Sequence, residues 1–424
     1  MTRPERIVVI NDLSRPLGGA SALAVQAALG FAQRGFAVTY VAGDAPPADG
    51  LGHPGVTTLG LGQARLLARG RLDAAVQGWW NRAAWRLVRG WIATHDTPAT
   101  VYHLHGWSQI LSPSVLAALA PVRHRLVISA HDFFLVCPTG AYADFPGGAP
   151  CTRVPLGAAC MMAACDRRGR LHKAWRIGRG AIQRAAMPLH QCPQVLAIHP
   201  AMHAGLQRGG IPAAAIRVLP NPVVPWSASR IAAEANRAVL FVGRIEATKG
   251  ADLALAAARA AAVPMLVVGD GALAERLRAE HPEAQFAGRL DPGQIIALAR
   301  RARLLVMPSR YPEPFGLVAI EALRSGIPVV LPPSALLADD IVRIGAGVTV
   351  EPRDTGGFAQ VLRRLGEDDA AVAAMSHAGF DRGATLALDP ESWLDRLIDV
   401  FADRLGHDAT ARARPSISTT PRAI

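Results

Sequence analysis

Arg244 and Lys249 lie five residues apart in VGRIEATKGAD, a loop between an apolar run and an Ala-rich stretch of helical character. Two cations and a helix start meeting at one point suit the oxygens of a departing diphosphate, because charge-assisted hydrogen bonds and aligned amides stabilise developing negative charge. Lys249 also stands out by type, since of 45 basic residues only it and Lys173 are lysines. Further along, SRYPEPFGLVAIEALRSGIPVV sets Glu313 and Glu321 eight residues apart, the first in a Pro-rich loop and the second inside the helix that follows. Both carboxylates can then face one pocket, and the amides of Phe315, Gly316 and Leu317 at the helix start can hold an anion. A carboxylate in the loop suits sugar hydroxyls, and one on the helix suits those of a ribose. The acid and nucleophile of a glycosidase are the competing reading of such a pair, and that reading leaves the two cations unexplained.

The first half carries weaker signals. Gly18 and Gly19, in GGAS, follow an apolar run and open a helix, so their amides could cradle a diphosphate. The dinucleotide fingerprint GxGxxG is absent there, and only Asp44 could imitate its ribose-binding acid. Histidines crowd the ends of two apolar runs, His103 and His105 first, then His131 beside Asp132 in AHDFFLVCP. One of His103 and His105 is expected to line a cleft while the other packs away from it. Cys137, Cys151, Cys160 and Cys165 fall within 29 residues. Four thiolates could build a structural zinc site or another metal centre; the lack of any CxxC spacing keeps ordinary buried thiols as the alternative. After them, DRRGRLHKAWRIGRGAIQR packs seven basic residues between Asp166 and Arg184, interleaved with Leu171, Trp175, Ile177 and Ile182. This is either an interfacial or acceptor-docking helix or a solvated basic face.

Short apolar runs separated by helical patterns must position these groups. RIVVIN, a Gly-containing loop, an Ala-rich helix closed by Gly35 and then AVTYVAG form a strand, loop, helix, strand unit, the signature of a parallel sheet covered by helices. Further strands are expected at 101–105, 126–130 and 195–199, and the rhythm restarts at 238–243, 264–269, 285–288, 304–309 and 328–332. Two doubly wound α/β units follow, joined by the Pro-rich linker IRVLPNPVVPWSAS. In such sheets ligands bind beyond the carboxyl ends of the strands, so function belongs in the cleft between the units.

At this point the chain resembles the retaining nucleotide-sugar glycosyltransferases of family four, which have the GT-B fold of two facing Rossmann-like domains. The resemblance is carried by GR…KG at 243–250, by LPNPV at 219–223 and by Glu313 and Glu321 followed by ALRSGIPVV. It implies that Arg244 and Lys249 bind the donor diphosphate, Glu313 the donor sugar and Glu321 the ribose, with the amides of Phe315, Gly316 and Leu317 on sugar and phosphate. Gly288, Arg289 and Leu290 would border the base. Gly18 and Gly19 would close on the diphosphate from the other side, and His131 would stand beside the donor sugar. It further implies an acceptor-side domain over 1–220 with a Cys-rich insertion at 137–165, a donor domain over 221–384, and a helix over 385–405 that returns to the first domain. Relatives in polysaccharide biosynthesis carry a similar cysteine-rich insertion. Residues 406–424 are polar and unpatterned, and disorder is expected there.

Charge is distributed unevenly. Residues 1–220 hold 22 Lys and Arg against 9 Asp and Glu, a net of +13, whereas 221–424 hold 23 against 24, a net of −1. The excess implies an anionic partner for the first half, a membrane surface or a lipid-linked acceptor glycan, with Arg167, Arg168, Arg170, Lys173 and Arg176 as the docking residues. A nucleic acid is disfavoured because no recognised binding motif accompanies the charge. No apolar stretch is long and unbroken enough to span a bilayer, and an N-terminus without an export signal, together with few cysteines, points to the cytoplasm or the inner face of its membrane. The expected activity is transfer of a sugar from a nucleoside-diphosphate donor to an acceptor hydroxyl with retention. No cofactor is expected for it, the cations standing in for a metal, and no Asp-x-Asp motif occurs. A nucleotide-sugar epimerase or hydrolase of the same shape, or a non-catalytic sugar-nucleotide or membrane-binding protein, are the rivals.

Overall fold

The computed structural model describes residues 3–47 and 49–413, with side chains through 406. Its strands in chain order are β1 (Arg6–Asn11), β2 (Ala37–Ala42), β3 (Val56–Gly60), β4 (Thr100–Leu104), β5 (Leu126–Ala130), the short pair β6 (Ala143–Asp144) and β7 (Ala149–Pro150), β8 (Gln194–Ala197), β9 (Ile216–Val218), β10 (Ala238–Val242), β11 (Met265–Val268), β12 (Gln285–Gly288), β13 (Ala302–Val306), β14 (Val329–Leu331) and β15 (Gly347–Thr349). Seven form one parallel sheet in the order β3-β2-β1-β4-β5-β8-β9, and six form a second, β12-β11-β10-β13-β14-β15. Both are doubly wound sheets.

Burial on both faces explains the central strands. In β1, Ile7 and Val9 pack with Leu23, Ala27 and Phe31 of the helix Gly19–Gln33, while Val8 and Ile10 pack with Val88, Ile92 and Leu116 on the opposite side. That alternation is the period of two of an extended chain. In the second sheet, Val239 and Phe241 meet Ala254, Leu255 and Leu362 on one face, and Leu240 meets Ile320 and Leu323 on the other. Besides the short pair β6 and β7, the strands that sequence patterning leaves unassigned, β3, β9 and β15, are all edges of the two large sheets. An edge strand needs less apolar surface, and β9 (Ile-Arg-Val) and β15 (Gly-Val-Thr) are too short to show a period. The expected linker therefore begins only after β9.

The chain crosses between the domains twice, and the crossings pair: Val223 N donates to Leu388 O at 2.9 Å and Leu388 N to Asn221 O at 3.4 Å. The final helix, Pro390–Ala413, lies on the first domain. Trp393, Leu397 and Phe401 complete the layer over Ile7 and Val9, and the Phe401 ring lies 5.5 Å from that of Phe31. Arg34 pins its first turn by ion pairs to Glu391 and, at 3.3 Å, Asp395. The helix continues eight residues past the expected end at Leu405, because the Ala- and Arg-containing segment after Gly406 is made largely of good helix formers. Expected disorder at 414–424 lies outside the described residues. Among the described residues no helix is long and apolar enough to cross a membrane.

Candidate active site

The carboxyl ends of β10 and β13 in the second domain carry its chemistry. After β10 the chain turns through Ala247–Lys249 into Gly250, whose φ of 73° is left-handed; a Cβ there would collide with the Pro308 carbonyl, so only glycine lets the two loops touch. Arg310 locks the same contact, donating its amide to Thr248 O at 2.9 Å and its guanidinium to Asp252 at 2.7 Å. Between these loops Lys249 Nζ donates to Glu313 Oε2 at 2.7 Å and to Tyr311 Oη at 3.0 Å, while Ser309 Oγ donates to the same carboxylate oxygen at 3.0 Å. Burial alone would push the Lys249 ammonium down; Glu313 and Tyr311 outweigh it and hold it above its ordinary value. Burial would likewise raise the Glu313 carboxyl, yet Lys249, Ser309 and Tyr311 keep it below its usual range. The Tyr311 phenol is pushed up to about 12 by burial and by the neighbouring carboxylate. The result is a desolvated ion pair with fully assigned partners.

Glu321, on the helix Leu317–Leu323 that follows, behaves oppositely. Burial pushes its carboxyl up to about 7, against a hydrogen bond from Trp226. Gly316 enters this helix at a φ of 69°, with Met307 Sδ 2.9 Å from where a Cβ would stand. Gly288 is also left-handed, at 71°, and faces open space; Arg289 is exposed and Leu290 half-buried. Arg244 does not converge on Lys249. It is 62% exposed and pairs with Glu246 at 2.8 Å.

The first domain meets this surface through its glycine loop. Gly18 precedes the fifteen-residue helix Gly19–Gln33, which no side chain caps, so its first amides remain available. A Cβ on Gly19 would stand 3.1 Å from Leu317 Cδ1, which brings the start of this helix against the Phe315–Leu317 turn. Asp12 fixes the base of the loop by accepting from the amides of Gln109, Ile110 and Leu111 at 2.7–2.8 Å. Asp44 accepts from Ser14 N at 2.8 Å; it braces the loop instead of offering its carboxylate to a ribose.

At the carboxyl ends of β4 and β5 the histidines form a chain. His131 Nε2 lies 2.9 Å from His105 Nδ1, His105 Nε2 lies 3.2 Å from His103 Nδ1, and His103 Nε2 lies 2.9 Å from Ser129 Oγ. Burial holds all three imidazoles low, His131 at about 4 and His103 at about 3. Neutral rings sharing each hydrogen bond have coupled tautomers, so Ser129 and the inner histidines set which edge His131 offers. Neither His103 nor His105 lines the cleft. Residues two apart share a face, and both are buried. Asp132, next to His131, is pushed up to about 6 by burial, while the Phe134 amide acts in the other direction.

With that geometry in place, comparison with known proteins assigns the class. The family model described as Glycosyltransferase Family 4 matches residues 17–225, and that described as Glycosyl transferases group 1 matches 226–382. The chain belongs to the glycosyltransferases of the GT-B fold. A D-inositol 3-phosphate glycosyltransferase of Catenulispora acidiphila is 28% identical across 94% of this chain and 96% of its own length. The glycogen synthase of Mycobacterium tuberculosis is 34% identical over 155 residues, 34% of this chain, and the match spans only 37% of that relative. Among solved structures, sucrose-phosphate synthase from Thermosynechococcus elongatus superposes with a TM-score of 0.70 at 20% identity over 95% of this chain and all of its own. Anabaena HepE in complex with UDP superposes at 0.63 and 17% identity over 94% of this chain and all of its own.

In this glycosyltransferase the cysteines of the insertion have partners of their own. Among the described residues no group of three or more His, Cys, Asp or Glu side chains is arranged to hold a metal ion. Lys173 is 3% exposed and donates to Cys165 Sγ at 3.2 Å and Cys160 Sγ at 3.5 Å. Cys137 instead meets Thr139 Oγ1 at 3.3 Å, and Cys151 meets Arg153 at 3.7 Å. Lys173 is thus a structural donor and not a docking residue. Arg176 also turns inward, to Asp166 at 2.9 Å, leaving Arg167, Arg168 and Arg170 exposed. Tyr311, Ser309 and Ser129 are site residues that sequence reasoning missed; a phenol two residues before Glu313 was the one available signal.

Proposed function

We propose that the chain transfers a glycosyl group from a nucleoside-diphosphate sugar to an acceptor hydroxyl, with retention at the anomeric carbon. The observation that carries this reading is the Lys249–Glu313 pair, whose side chains are only 21% and 13% exposed, with the uncapped start of Gly19–Gln33 against the neighbouring Phe315–Leu317 turn. Lys249 supplies a fixed positive charge for the departing diphosphate, already desolvated and oriented by Glu313 and Tyr311, so little reorganisation is needed as charge develops. Arg244, 62% exposed, can exchange Glu246 for the same phosphates. Glu313 keeps one carboxylate oxygen for Lys249 and Ser309 and presents the other to sugar hydroxyls. Glu321 accepts from the ribose, and His131 positions the sugar through the edge its histidine partners leave free. The cations take the part a divalent metal plays in other transferases. HepE was solved with UDP-glucose as well as with UDP, which supports a nucleotide-sugar donor for a chain of this fold.

The test is to screen nucleoside-diphosphate sugars by thermal shift, then to incubate the stabilising donor with candidate acceptors and determine the product's anomeric configuration by NMR. Transfer with the donor's configuration kept supports the proposal. Inversion overturns retention, and isomerisation or hydrolysis with no acceptor requirement overturns transfer.

A further inference from the structure

Large apolar side chains are exposed in one region of this molecule. Of thirteen such residues among those described, nine fall within 67–80 and 154–171 of the first domain. On the helix Arg71–Trp79, Leu72, Val76 and Trp79 are 86%, 65% and 40% exposed. Their spacing of four and three residues makes one stripe, the stripe an amphipathic helix ordinarily buries. Here Leu72 and Val76 face out, while the flank of the helix that carries Ala75, Gly78 and Trp79 packs on the helix Arg170–Ala186. Trp175 donates its indole N–H to Ala75 O and Trp79 donates its own to Trp175 O, both at 3.0 Å, and a Cβ on Gly78 would strike the Trp175 ring. Leu171, one turn before Trp175 on the helix Arg170–Ala186, is 90% exposed. Trp80 and Met162 add 37% and 80% exposure nearby in sequence.

The segments that carry this stripe are predominantly basic. Arg71, Arg82, Arg86, Arg167, Arg168 and Arg170 are exposed. The only acids in 65–89 and 153–184 are Asp73, paired with Arg69 at 3.0 Å, and Asp166, buried against Arg176 at 2.9 Å. An apolar strip with tryptophan at its end and arginines at its sides matches the interface of an anionic bilayer, where apolar tips enter the acyl boundary and guanidiniums meet phosphates. We infer that the Arg71–Trp79 helix, with Leu171 beside it, docks the first domain on an anionic membrane surface. The inference is independent of the transfer chemistry, and it points to an acceptor borne by a lipid.

The experiment is flotation of the full chain with vesicles of phosphatidylcholine alone and of phosphatidylcholine mixed with phosphatidylglycerol, at low and high salt. The chain should float with anionic vesicles only, and less at high salt as the charges are screened. Leu72→Asp with Val76→Asp, both at exposed positions, should lower the bound fraction by on the order of tenfold or more while leaving the thermal shift by nucleoside diphosphate unchanged. Reversing Arg71, Arg86 and Arg170 to Glu should remove the anionic preference. Equal flotation with neutral vesicles, none with either, or full binding by the double Asp variant would overturn the inference. So would a concentration-dependent dimer in sedimentation velocity that the Asp variant abolishes, since a second copy would then cover the stripe.

Discussion

The two domains wind their strands in the same order and place their functional groups at the carboxyl ends of central strands, yet their electrostatics are opposite. Beyond β10 and β13 of the second domain stands a buried ion pair, Lys249 with Glu313. At the carboxyl ends of β4 and β5 of the first stand three imidazoles held neutral by burial. Net charge runs the other way, at +13 over residues 1–220 and −1 over the rest. Domain charge therefore does not locate site charge. The nearly neutral domain concentrates one desolvated cation where a leaving group would become anionic. The basic domain keeps its strand-end histidines neutral and exposes part of its arginine excess.

Removing the cation should break this contrast most strongly. Lys249→Ala deletes a charge-assisted bond to the leaving group, about 1.5–3 kcal/mol or roughly 10- to 150-fold in turnover. It also leaves the partly buried Glu313 without its cation, which lowers stability as well. Adding Glu313→Gln should recover most of the stability in chemical denaturation but none of the turnover, separating the structural role of the pair from its catalytic one.

The next effect falls on the first domain. Phe401 packs on Phe31 at 5.5 Å and on His103 at 5.4 Å between ring centroids, so Phe401→Ala should cost about 3–5 kcal/mol. Calorimetry should show that loss in the first domain's transition, although the residue follows the second domain in sequence.

Acid should then separate the two domains. The histidines sit below their unfolded value of 6.5, His131 at about 4 and His103 at about 3. On acidification the unfolded chain takes up protons that the folded one refuses. Their contribution is therefore complete above pH 6.5 and is lost as pH falls towards those values, at about 1.4 kcal/mol per pH unit for each histidine. Glu313, held below 4.5, gives up its contribution only below that pH, and Glu321, raised to about 7, is favoured by acid. Melting at pH 5 should weaken the first domain ahead of the second, and His103→Gln should flatten that slope.

The smallest effect belongs to Glu321. Its carboxyl ionises near pH 7, and an ionised acceptor holds a ribose hydroxyl more tightly than a neutral acid. Nucleoside-diphosphate affinity should rise several-fold through that pH in the unmodified protein, and Glu321→Gln should bind more weakly with that rise removed.

Much of this arrangement was legible in the residues themselves. β1, β4, β5 and β10 announce themselves because strands covered on both faces must be apolar throughout, and Glu313 and Lys249 because a Pro-rich loop and a rare lysine mark them. Edge strands β3, β9 and β15 carry no such requirement. Pairings that depend on the third dimension were hidden: Lys249 to Glu313, the chain from His131 to Ser129, and Lys173 pointing into the cysteines. The outward stripe of Leu72, Val76 and Trp79 was hidden for the same reason, since helical periodicity reports an apolar face without saying whether anything covers it.

The central claim is that a nucleoside diphosphate is held between Lys249 and the start of Gly19–Gln33. Calorimetric titration of a panel of nucleoside diphosphates into the unmodified protein and into Lys249→Ala tests it most directly. The account predicts that at least one of them binds, that its affinity falls on the order of tenfold or more in the variant, and that the loss shrinks when the nucleoside alone is titrated. Binding of equal strength to both proteins, or no binding by any nucleoside diphosphate, would contradict it.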